Sequence, residues 1–99
     1  MKKLIALIFI LSFSTFSVAS MTETSSFRTS SNQTVALGDS LNQLIDRTGQ
    51  SPNSIKTTTW QEGTSTINAI EYHYNIGENL YVVTVVHDQI RKIQYRKDI

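Results

Sequence analysis

The sequence predicts an α+β fold, with one short helix packed on an antiparallel sheet of about four strands. Three observations carry this. The stretch from Ala69 to Tyr95 alternates β-branched and aromatic runs with turn formers, as strand, turn, strand, turn, strand. Upstream, Leu41, Leu44 and Ile45 share one helical face, bounded by Asp39-Ser40 and Gly49. Between them, Ile55 to Gln61 is a β-prone run ending in Trp60. The order is therefore helix, then four strands, in one small domain.

In chain order, Met1 to Ala19 reads as a secretory signal. Lys2 and Lys3 form its charged start and Leu4 to Phe13 its apolar region, while Ser17-Val18-Ala19 places small residues for cleavage before Ser20. Ser12, Ser14, Thr15 and Ser17 interrupt the apolar run, whereas a membrane span needs about 20 apolar residues. No cysteine follows it to accept a lipid, so no stable membrane anchor is expected. The compartment this implies is periplasmic or secreted, in a bacterium. Residues 20–33, rich in Ser and Thr with Phe27 the only aromatic side chain, are expected to be a flexible leader, because they bury too little to offset ordering. Asn32-Gln33-Thr34 matches the glycosylation triplet, which carries little weight behind a bacterial signal.

The folded part is expected at 34–99. Asp39 or Ser40 caps the helix, Gly49 stops it and Pro52 prevents its resumption. Ser51-Pro52-Asn53-Ser54 is a turn, and Glu62 to Thr66 a polar loop. A turn at Gly77-Glu78-Asn79 precedes the run Leu80 to His87. A two-residue turn at Asp88-Gln89 would pair His87 with Ile90 and Thr84 with Ile93, gathering Leu80, Val82, Thr84, Val86, Ile93 and Tyr95 on one face. Apolar residues on both faces of Leu80–Val86 suit a central strand. Leu41, Leu44, Val82 and Ile93 are then expected to be buried together.

Charge and composition exclude several functions. Nine Lys and Arg stand against eight Asp and Glu; without Lys2 and Lys3 the remainder is net −1, which argues against a nucleic-acid partner. With no cysteine, stability must come from packing. His73 and His87, even with Glu71, Glu78 or Asp88, lack the three- or four-ligand spacing of a zinc site, so a solvated strand surface is expected and no cofactor. Asp39-Ser40 is accounted for as a helix cap rather than a nucleophile. The aromatics Trp60, Tyr72, Tyr74, Tyr81 and Tyr95 are read first as core, since a small domain needs large side chains to bury. Trp60, Tyr72, Tyr74 and Tyr81 are alternatively a patch for a protein partner. Arg91, Lys92, Arg96 and Lys97 suggest a charged edge strand that resists aggregation.

Several of these segments resemble a known family. Val35-Ala36-Leu37-Gly38-Asp39-Ser40 with Leu41, Leu44, Gly49 and Pro52, then Glu71 to Gly77, Tyr81 to Asp88 and Ile90-Arg91-Lys92-Ile93, are similar to the BamE-like (SmpA/OmlA) group of small bacterial envelope domains. The likeness covers about Phe27 to Ile93. Thr29 and Thr48 stand where an uncharacterised periplasmic relative of that group carries two cysteines, which the resemblance implies form one bridge. Gly49-Gln50-Ser51-Pro52 is one residue longer than the usual Gly-x-Pro, and Asp88-Gln89 replaces Asp-Gly. The resemblance implies helices on an antiparallel sheet and no enzyme activity. Its best-understood members are lipoproteins that assist outer-membrane protein assembly, and the lipidated cysteine is missing here. Two functions follow as expectations. One is a non-enzymatic periplasmic binding or accessory module, whose partner is another envelope protein. The other is a secreted inhibitor or effector that covers a partner protein with its sheet face.

Overall fold

A computed structural model describes residues 20–98 and confirms the small α+β fold. The export signal expected at 1–19 lies outside the described residues. The elements are β1 (Thr22–Thr24), β2 (Ser26–Arg28), β3 (Thr34–Ala36), α1 (Leu41–Thr48), β4 (Ser54–Glu62), β5 (Ser65–Ile76), β6 (Asn79–Val86) and β7 (Gln89–Lys97). Five strands form one antiparallel sheet in the order β1-β7-β6-β5-β4, and β2 pairs with β3 in a second, two-stranded sheet. Among the described residues no helix is long and apolar enough to cross a membrane.

The helix has the expected limits. Ser40 is the N-cap, its side chain accepting from the Gln43 N–H while the Gln43 side chain accepts from the Ser40 N–H. Gly49 ends the helix at φ 63°, a left-handed conformation that glycine adopts without a Cβ clash. Asp39 is not the cap. Its Oδ2 accepts from the Ala36 N–H and from Arg47 Nη1, both at 2.9 Å, tying the end of β3 to the last turn of α1. Leu44 is fully buried in the core and Leu41 packs against it, but Ile45, expected on the docking face, is 51% exposed.

The sheet is longer and differently registered than expected. β5 starts at Ser65, because a two-residue turn at Gly63-Thr64 replaces the expected polar loop and pairs Glu62 with Ser65. The β6–β7 turn is His87-Asp88, not Asp88-Gln89, with both residues at positive φ, 51° and 63°. This is the geometry that follows strand twist in a two-residue hairpin. Val86 pairs with Gln89 and Val85 with Ile90, then a bulge at Arg91 restarts the ladder at Thr84–Lys92 and Val83–Ile93. The shift moves Ile93 and Tyr95 to the face of Tyr81, Val83 and Val85, away from Val82, Thr84 and Val86. The bulge also lets Ile90 and Ile93, three residues apart, point the same way.

The core lies on the helix side of the sheet. Phe27, Val35, Leu44, Tyr74, Val83, Val85, Ile90 and Ile93 are buried together, with Leu41, Tyr72, Ile76 and Tyr81 packed around them. Val82, Thr84 and Val86 are buried on the opposite face. There, Glu71 and His73 flank Thr84 and Val82 on one side, and Lys92 and Gln94 on the other. β6 is thus the central strand and buried on both faces, but Val82 does not join Leu44 and Ile93.

Residues 20–33 are not a free leader. β1 adds a fifth strand beside β7, and Phe27 of β2 is buried and stacked on Tyr81, with ring centroids 4.4 Å apart. One aromatic side chain and the open β7 edge supply what the polar composition lacks. For the same reason the basic strand is not an edge. β1 pairs with β7 from Ile93 to Tyr95, and the loop before the helix covers the other end, where Ile90 N–H donates to Asp39 O and Gly38 N–H to Ile90 O.

Candidate functional site: an apolar cleft beside the helix

Beyond the end of α1, the sheet face continues without cover. A cleft of ≈ 410 Å³ opens between Ile45 and Gly49 of the helix end, the loop Gln50-Ser51-Pro52, and Ile55, Tyr72 and Tyr74 of the sheet. The loop wall is held by β5. Gln50 Nε2 donates to Asn75 O at 3.1 Å, Asn53 N–H donates to His73 O at 2.6 Å, and the Asn53 and Asn75 side chains hydrogen-bond to each other. The wall is therefore pinned at three points. Ile55, 58% exposed, sits opposite Tyr72 in the β4–β5 ladder. Ile70 lies two residues along on the Tyr72 face and is also exposed.

The lining contains no carboxylate, imidazole or thiol. What the cleft offers is apolar area at the surface, with Ser51 and Gln50 at its rim. Such area favours association with other apolar groups by roughly 25 cal/mol per Å² removed from water.

The aromatics expected as a partner patch are divided by the fold. Tyr74 is completely buried. Burial raises its pKa above the usual phenol range, a contact with the Thr48 hydroxyl that falls short of good hydrogen-bond geometry lowers it, and Tyr72 adds to the rise. Tyr81 is half-buried between Phe27 and Tyr95. Trp60 falls on the opposite sheet face, since its register partner Ile67 is odd-numbered in a strand whose even positions face the helix. Of the four, Tyr72 alone is a half-buried member of the cleft. Ile45, Pro52 and Ile55 were not anticipated as site residues. Their signal in the sequence is weak: Ile45 completes an apolar helical face, and Ile55 opens a threonine-rich strand as its single aliphatic residue.

The imidazole and carboxylate expected on one strand face do meet: His73 Nε2 lies 3.2 Å from Glu71 Oε1. His87 sits apart, exposed in the β6–β7 turn, and no group of three potential metal ligands occurs among the described residues.

Fold and cleft together define a small α+β domain with a preformed apolar surface site. Comparison with protein-family models, curated proteins and solved structures finds no match.

Proposed function

We propose that the protein is a non-enzymatic binding or accessory module of the bacterial cell envelope that holds another envelope protein at the cleft between α1 and β4–β5. The supporting observation is the pair Ile45 and Ile55, each more than half exposed, facing a cleft whose wall is hydrogen-bonded in place. Apolar side chains kept at the surface on a rigid frame are a common mark of a protein-binding patch. The placement in the envelope rests on the charged start, apolar run and Ser17-Val18-Ala19 of the export segment. The likeness of Val35–Ser40 and Tyr81–Asp88 to the BamE-like group points to the same compartment.

The test is capture from envelope extracts with wild type, Ile45→Glu and Ile55→Glu in parallel. Both side chains are exposed, so both variants keep the fold, checked by circular dichroism. The expected result is a partner retained by wild type and lost by both variants. Identical capture by all three would overturn the reading.

A further inference from the structure

The two ends of the main sheet are treated differently. At one end β7 is paired with β1 from Ile93 to Tyr95 and hydrogen-bonded at Ile90 to the Gly38–Asp39 loop. At the other end β4 pairs with β5 through all nine of its residues, in unbroken register, and nothing among the described residues covers its outer edge. Strand edges are ordinarily blunted by shortness, charged side chains, proline, bulges or inward charges; β4 carries two charges, Lys56 and Glu62, and they are opposite in sign. β4 is nine residues long, contains no proline and has no bulge. A row of backbone donors and acceptors is left open for another strand.

The sequence of β4 selects one antiparallel copy of itself. Its only charged residues are Lys56 and Glu62, and alternation puts them on the same face with Thr58 and Trp60. A two-fold axis at Thr59 sets Lys56 opposite Glu62 of the second chain, twice. Thr58 then faces Trp60, and Thr57 faces Gln61. Shifting the axis to Lys56 or to Glu62 would bring like charges together, and an axis at Thr58 pairs neither. Glu62 already meets Arg91 Nη2 at 3.4 Å within its own chain, so the incoming Lys56 joins a carboxylate held in place. Trp60 is half-buried, and covering it by Thr58 of the second chain removes further apolar area from water.

We infer that β4 is a homodimer edge: two copies of this chain pair antiparallel about Thr59 and join their sheets into one. The axis stands perpendicular to the sheet, so the two apolar clefts open on the same side. Ile55 lies just outside the paired stretch 56–62, and the dimer neither requires nor excludes the cleft's partner.

The chain has no cysteine, so a single introduced thiol reports the register. Directly opposed residues in an antiparallel ladder have Cα atoms about 4.5–5.5 Å apart, within disulfide range. Thr59→Cys therefore cross-links to its own copy under mild oxidation. In Thr57→Cys the two thiols are offset by four strand positions, about 13 Å, and do not. Sedimentation of the chain beginning at Ser20 gives twice the monomer mass, and Lys56→Glu returns it to monomer. A wild-type chain that stays monomeric to about 1 mM overturns the inference. So does cross-linking of Thr57→Cys as fast as Thr59→Cys, or a Lys56→Glu chain that dimerises like wild type.

Discussion

Tyr74 is the residue whose chemistry and burial are least reconciled. Its hydroxyl is enclosed without a hydrogen bond, and its pKa is raised chiefly by burial. A raised folded-state value means the fold favours the neutral phenol. That contribution is complete below the unfolded value of about 10 and declines as pH climbs from there toward the folded value. Tyr74→Phe removes the unpaired hydroxyl and keeps the ring. It should leave stability at neutral pH unchanged or raise it by about 1 kcal/mol, and it should weaken the loss of stability above pH 10. Urea unfolding of both proteins at neutral and alkaline pH checks this; a clear loss at neutral pH would mean that the hydroxyl has a partner. The sequence marked Tyr74 as aromatic on a strand, and core was the reading it favoured. Nothing in its local pattern separated it from Tyr72, two residues away on the same face; both border the cleft, but Tyr72 is half-buried there and Tyr74 fully buried. The difference is set by the end of α1, which covers one and stops short of the other.

Among the elements, the helix was legible apart from the choice between Asp39 and Ser40 as its cap, because its limits are chemical: Ser40 and Gln43 satisfy its first amides and Gly49 accepts its left-handed exit. The β6–β7 turn was misread by one position, which leaves Ile90 on its face; the unforeseen bulge at Arg91 is what exchanges the faces of Ile93 and Tyr95. His87 and Asp88 both hold positive φ in the turn, without the glycine that would announce it. Replacing them by the favoured pair, His87→Asn with Asp88→Gly, should relieve that cost and stabilise the domain by roughly 1 kcal/mol, seen as a higher urea midpoint at unchanged slope. An unchanged or lower midpoint would place the turn elsewhere. The leading strands were missed for a different reason. Three-residue strands carry no periodicity, and the only signal was Phe27 itself. Phe27→Ala should cost about 3–5 kcal/mol, against almost nothing if residues 20–33 were a loose leader; thermal unfolding distinguishes the two.

At the scale of the whole molecule, the β2–β3 connection is brought against the end of α1. Thr29 Oγ1 lies 3.1 Å from Ser31 Oγ, and Ser31 Oγ donates to the carbonyl of Arg47, the neighbour of Thr48. Thr29 and Thr48 are both buried. The double change Thr29→Cys with Thr48→Cys should therefore form a disulfide on oxidation, provided the Cα atoms fall within about 7 Å. In the chain-entropy account it adds about 3 kcal/mol, less any strain. Thiol titration that finds both cysteines free would separate these two positions.

By itself the sequence determined the fold class, the helix with its Gly49 stop, the strand–turn–strand succession of β5, β6 and β7, and β6 as the strand buried on both faces. These rest on short-range causes: side-chain period, capping groups and turn formers act within a few residues. Tertiary structure alone decided the rest. It brought Thr22–Thr24 into the sheet and Phe27 into the core, because an open β7 edge and a tyrosine ring were there to receive them. It chose which face Ile93 and Tyr95 share, because the bulge at Arg91 is settled by packing Ile90 and Ile93 together. It divided the aromatics between core, cleft and far face, and left β4 uncovered. Each of these depends on what lies across the chain fold from a residue, and local pattern carries no record of that distance.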